Sequence, residues 1–152
     1  MMKSRRFVLI GAAAVPVTLL STRFVTAGTS SVYSEGGIAI DGTDPLSYFT
    51  EGRPVAGDAS FTYDWMGATW RFSSEANRTA FIENPESYAP QYGGYCAWAV
   101  SQGYTASTIP EAWKIVDGKL YLNYSRRIQR RWERDIPKRI AEADKNWPGV
   151  LE

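Results

Sequence analysis

The chain has 152 residues, a formal net charge of +1, no histidine and one cysteine, Cys96. Without imidazole there can be no Ser-His-Asp triad and no Cys-His pair. One thiol can neither close an intramolecular disulfide nor build a structural zinc site, so selective chemistry is left to Cys96, carboxylates, aromatic rings and the backbone.

The chain opens on Ser4-Arg5-Arg6-Phe7-Val8-Leu9 and an apolar run from Ile10 to Leu20. A basic start, an apolar centre and the small-residue exit Val25-Thr26-Ala27 form a secretory signal pattern. The double arginine resembles the twin-arginine export motif, an address read by a receptor. Pro16 and Thr18 interrupt the run, which is short of the roughly 20 apolar residues that span a bilayer. Residues 1–27 are therefore expected to be a cleaved, twin-arginine-like export signal that leaves no membrane span. The mature protein is expected outside the cytoplasm, in the periplasm or at the cell surface. Removing Lys3, Arg5, Arg6 and Arg23 with no acid leaves 13 basic against 16 acidic side chains, net −3. That balance argues against nucleic acid as a partner. What remains is enough for one domain with its own core. In an oxidising compartment it would still lack an internal disulfide, so its stability falls to packing by aromatics, which are 14% of the chain.

Residues 28–36 are polar and expected to be a flexible leader, and residues 37–152 a domain with a C-terminal helical extension. Ile38-Ala39-Ile40 suits a short strand. Asp44-Pro45 suits a helix start, with the acid as cap and proline in the first turn. Phe61, Tyr63 and Trp65 alternate with polar residues, then Met66-Gly67 turns into Ala68–Phe72, a hairpin pattern. Ser73 and Ser74 offer a capping hydroxyl for a helix running to Asn84-Pro85. Tyr95 to Gln102 reads as a short helix entered through Gly93-Gly94. Residues 113–122 read as a second hairpin over Asp117-Gly118. Asn123-Tyr124-Ser125 then caps a long helical region. Its apolar stripe is Ile128, Trp132, Ile136, Ile140, Ala143 and Trp147, with Pro137 as the expected kink. The expected fold is α+β: a small antiparallel sheet or hairpins, a central helix and a long C-terminal helix.

Cys96 admits two readings. It is a small buried hydrophobe, as free cysteines commonly are, or a thiolate at a helix start where backbone N–H groups lower its pKa. Gly93 and Gly94 let backbone approach closely and could form an anion-accepting turn. Tyr88, Tyr92, Tyr95, Trp98 and Tyr104 either wall a ligand pocket or fill the core. Arg126, Arg127, Arg130, Arg131, Arg134, Lys138 and Arg139 fit a solvated helix face, or a surface for an anionic partner.

The run Trp70-Arg71-Phe72-Ser73-Ser74-Glu75-Ala76-Asn77 through Phe81, Pro85 and Tyr88 resembles YHS domains, modules found in metal-handling proteins. Asp44 to Phe49 is similar to the opening of the same domain. In the metal-type members, cysteines fall at the positions of Ser47, Ser73 and Asn77. Hydroxyls and an amide are poor ligands for soft metals, so no thiolate cage carries over. The stretch Gln91-Tyr92-Gly93-Gly94-Tyr95-Cys96-Ala97-Trp98 resembles an exported YHS (seleno)protein subfamily, some members of which carry selenocysteine at the Cys96 position. That resemblance implies a working thiol.

The expected function is an exported small binding module, rather than an enzyme, with Cys96 touching a small ligand or a copper-like soft metal ion. Gly93, Gly94, Tyr95 and Trp98 are the other candidate ligand-binding residues. The alternatives are a thiol redox protein in which Cys96 is catalytic and needs an external thiol partner, and a non-catalytic structural or interaction domain.

Overall fold

The structure, a computed structural model, describes residues 28–152, so the export-signal reading of residues 1–27 lies outside the described residues. β1 (Ser34–Glu35) and β2 (Ile38–Ala39) pair antiparallel. After a 3-10 turn at Ile40–Gly42 the chain enters α1 (Ser47–Thr50). Leu46, not the expected Asp44, holds the cap position of α1, and Asp44 Oδ1 accepts from the Leu46 N–H at 2.9 Å in the turn before it.

β3 (Asp58–Trp65) and β4 (Ala68–Phe72) form the expected hairpin, in register Trp65↔Ala68. Met66 and Gly67 turn it with φ of 54° and 78°, the left-handed pair that follows strand twist. β2 also pairs with β4 in parallel, at Ile38↔Thr69, so the sheet order is β1-β2-β4-β3 and one of its pairings is not antiparallel. α2 (Glu75–Glu83) starts at Ser74, whose Oγ accepts from the Asn77 N–H at 3.1 Å. It lays Phe81 onto the hairpin, where the ring meets Trp65, Trp70 and Phe72 with centroids 5.1–5.6 Å apart. These are tilted and edge-on contacts of the kind aromatic quadrupoles favour.

α3 (Pro85–Tyr88) leads into a 3-10 turn at Gln91–Gly94, then α4 (Ala97–Ser101). β5 (Trp113–Val116) and β6 (Lys119–Leu122) form the second hairpin around Asp117 and Gly118, both at positive φ. α5 (Arg126–Trp132) is capped by Ser125, and α6 (Ile136–Asn146) completes the C-terminal helical region. The fold is α+β. The kink falls at Asp135, whose φ/ψ of −155°/73° is not helical, and Pro137 sits in the first turn of the restarted helix, where its missing N–H costs nothing.

Tyr92 joins the two halves of the core. Its ring lies 6.0 Å from both Tyr121 of β6 and Trp147 after α6, and Tyr121 stacks 5.4 Å from Trp132 of α5. Within residues 28–36, read from their polarity as a flexible leader, part of the segment packs against the domain. Val32 and Tyr33 are buried, and the Tyr33 N–H donates to Gly93 O at 2.9 Å. Two apolar side chains in an otherwise polar segment suffice to seat it against the 91–94 turn. Among the described residues no helix is long and apolar enough to cross a membrane.

Candidate functional site

Three positions that the resemblance marks as cysteines gather around one buried carboxylate. Asp44 is fully buried, and its Oδ2 accepts from the Ser73 N–H at 2.9 Å, the Ser73 hydroxyl at 2.7 Å and the Asn77 Nδ2 at 2.7 Å. Ser47 lies alongside, its hydroxyl donating to Asp44 O at 2.7 Å and accepting from the Val55 N–H at 3.0 Å. Short polar side chains stand at these positions, Ser73 and Asn77 tying the start of α2 to Asp44 and Ser47 tying the segment before α1 to Val55. A soft metal does not fit this donor set. Nor do the described residues hold any group of three or more His, Cys, Asp or Glu side chains that could grip a metal ion.

Cys96 occupies the cap position of α4. Its N–H donates to Ala106 O at 3.0 Å, and its own carbonyl accepts from the Val100 N–H at 3.0 Å. The residue is only 1% exposed. Its Sγ accepts from the Tyr124 N–H at 3.2 Å and lies 3.6 Å from Asn123 Oδ1, to which the thiol donates. Burial pushes the thiol pKa up, and the backbone N–H groups of Ala99, Tyr124 and Trp98 only partly oppose it. The neutral thiol is the resting form at neutral pH.

Asn123 is the partner that sequence reading passed over. It had read as part of a helix cap, yet it is fully buried. Its Oδ1 also accepts from the Trp98 N–H at 3.1 Å, which fixes the amide orientation, and its Nδ2 has no partner. A buried donor without an acceptor is uncommon in a folded protein.

In front of Cys96 is a pocket of about 310 Å³, lined by Cys96, Trp98, Ala99, Tyr104, Ala106, Tyr124 and Ile128. Tyr104 and Tyr124 are 51% and 55% exposed and form its rim. Its size is at the lower end of ligand pockets, roughly 300–1,000 Å³. The Trp98 ring is also covered by two guanidinium groups, Arg139 at 4.5 Å and Arg131 at 5.5 Å from the centroid. α6 holds α4 in place, with Asn146 Nδ2 donating to Val100 O at 2.8 Å.

Of the five candidate ligand-binding residues, Cys96 and Trp98 share this pocket, and Gly93, Gly94 and Tyr95 do not. Tyr95 turns away, its hydroxyl donating to Ser30 O at 2.7 Å and its ring facing Tyr33 and Trp147. The two glycines serve the backbone. A Cβ on Gly93 would fall 1.9 Å from Ser31 O, and one on Gly94 would fall 2.6 Å from the Ile40 Cγ2. Tyr88 and Tyr92 are packed against other rings, so Tyr104 is the remaining flagged aromatic that reaches the pocket. Tyr124 had read only as part of a helix cap and Ile128 as part of the apolar stripe, yet both line the pocket.

Comparison with known proteins matches the YHS domain family model to residues 46–92. No curated protein and no solved structure matches the chain. The matched segment runs from α1 to Tyr92, so it takes in Ser47, Ser73 and Asn77 but ends before Cys96 and every other residue of the pocket.

Proposed function

We propose that this chain, which carries a YHS domain over residues 46–92, is a small-ligand-binding module whose ligand sits in the pocket in front of Cys96. The observation that carries the reading is the pocket itself. Exposed Tyr104 and Tyr124 and the Trp98 ring surround an apolar recess that ends on the thiol of Cys96, which Asn123 holds by a hydrogen bond from behind. Aromatic walls with a few fixed polar groups at the base are the usual composition of a small-molecule site. The thiol acts there as a neutral polar contact. One sulfur with no neighbouring carboxylate or imidazole is a poor holder for a copper-like ion, so the metal reading of Cys96 is the weaker one. The raised thiol pKa likewise favours ligand contact over thiolate redox chemistry. Export through the twin-arginine-like signal would place this module outside the cytoplasm.

The test is ligand-observed NMR with a set of small neutral aromatic compounds. Saturable binding to the wild type, lost in Ala106→Trp, which fills the pocket, is the expected result. Absence of saturable binding to the wild type, or unchanged binding in Ala106→Trp, would falsify the reading.

A further inference from the structure

Beyond the walls, one arginine of α5, Arg131, stands against a wall of the pocket, whereas Arg126 and Arg130 line a separate recess with Glu111 and Glu133. Residues 28–152 carry net −3, yet α5 presents Arg126, Arg127, Arg130 and Arg131 within seven residues. Among the described residues the ion pairs are Arg53–Glu51, Lys114–Glu133 and Arg139–Glu142. None of the α5 arginines takes part. Arg139 has an acid of its own, with Glu142 at 3.0 Å, whereas Arg131 is exposed and has none. No carboxylate lines the pocket to neutralise it.

Arg131 is nevertheless placed. Its guanidinium stands 5.5 Å from the Trp98 ring centroid, and Trp98 is a pocket wall. Ile128, one turn earlier on the same face of α5, is another wall. Stacking on an aromatic face restrains a guanidinium while leaving its N–H edge free for a planar acceptor. A carboxylate matches that edge in a way a neutral amide does not.

Resting on the pocket reading above, we infer that the ligand is a small organic acid with a flat apolar body, the body held between Trp98, Tyr104 and Tyr124 and the carboxylate read by Arg131. Three aromatic walls favour a ring over a flexible chain, because flat surfaces lose least freedom when stacked. Cys96 at the base then sets how deep the ring enters.

The experiment is isothermal titration of the full chain with 2-naphthoate and with naphthalene-2-carboxamide, which share a ring system and differ in charge. The expected result is roughly fivefold tighter binding of the acid, the scale of one partly exposed ion pair. That preference should shrink as salt is raised, because exposed charge pairs are screened. Arg131→Gln should abolish the preference while leaving carboxamide binding in place. Equal binding of acid and carboxamide by the wild type overturns this inference and leaves the pocket reading standing. Binding of neither probe overturns both. A preference for the acid that survives Arg131→Gln, or that does not respond to salt, overturns the role of Arg131.

Discussion

Asp44 and Cys96 are the two buried groups whose surroundings decide most. Asp44 has no cation beside it and relies on neutral donors: two backbone N–H groups, one hydroxyl and one amide. Removing the carboxylate leaves those donors enclosed without an acceptor. Asp44→Ala should therefore lower stability by about 3 kcal/mol, measured by urea unfolding. A loss under about 1 kcal/mol would mean that water replaces the carboxylate readily. For Cys96, burial and a raised pKa predict slow alkylation in the native state. Iodoacetamide at neutral pH should modify the folded protein at least roughly tenfold more slowly than the denatured one, by mass spectrometry. Equal rates would show an exposed thiolate and return the redox reading to the front.

At the scale of elements, the 91–94 turn fixes where α4 begins and so where Cys96 sits. Tyr92 and Gly93 take φ of 57° and 62°, and Gly93 passes against the Ser31 carbonyl with no room for a Cβ. The Gly93→Ala variant should lose about 3 kcal/mol or more, because a strained φ and a clash with backbone add. Circular dichroism melts would show it, and a melting temperature within a few degrees of wild type would contradict the close approach. The Gly-Gly pair was visible in the sequence, and it had suggested an anion-accepting turn. Nothing local to residues 91–96 reveals that the N-terminal segment runs across Gly93, since that contact joins parts of the chain about sixty residues apart in sequence. The hairpin turns were legible for the opposite reason. Met66-Gly67 and Asp117-Gly118 each set their geometry within two residues.

Over the whole molecule, the core packs the phenols of Tyr33, Tyr48, Tyr92, Tyr95 and Tyr121 among its hydrocarbon side chains. Burial raises the pKa of Tyr33, Tyr48, Tyr92, Tyr95 and Tyr121, and hydrogen bonds from Tyr33 to Asp41 and from Tyr92 to Asp144 add to it. Each folded pKa exceeds its unfolded value, so this stability is fully present below the unfolded pKa. It is lost as pH rises toward the folded one, because the unfolded chain gives up protons first. Urea midpoints should be flat from about pH 6 to pH 8 and fall steeply above about pH 10, with Cys96 contributing a smaller decline from about pH 9. A Cys96→Ser variant should keep the steep fall and lose the earlier one. A midpoint that does not move between about pH 8 and pH 11 would contradict the burial of these groups.

The sequence by itself determined what is set over short range. Hairpin turns follow from two residues, helix caps from Ser74 and Ser125, the apolar stripe of α5 and α6 from its spacing, and the chemistry available from the lack of histidine and the single cysteine. Tertiary structure decided what depends on distant segments meeting. It carried Asn123 and Tyr124 to the sulfur of Cys96, turned Tyr95 away toward Ser30, and brought Ser73 and Asn77 to the carboxylate of Asp44. The reason is physical. A turn or a cap is a bargain between neighbours in the chain, whereas burial and the company a side chain keeps are settled only when the whole core closes.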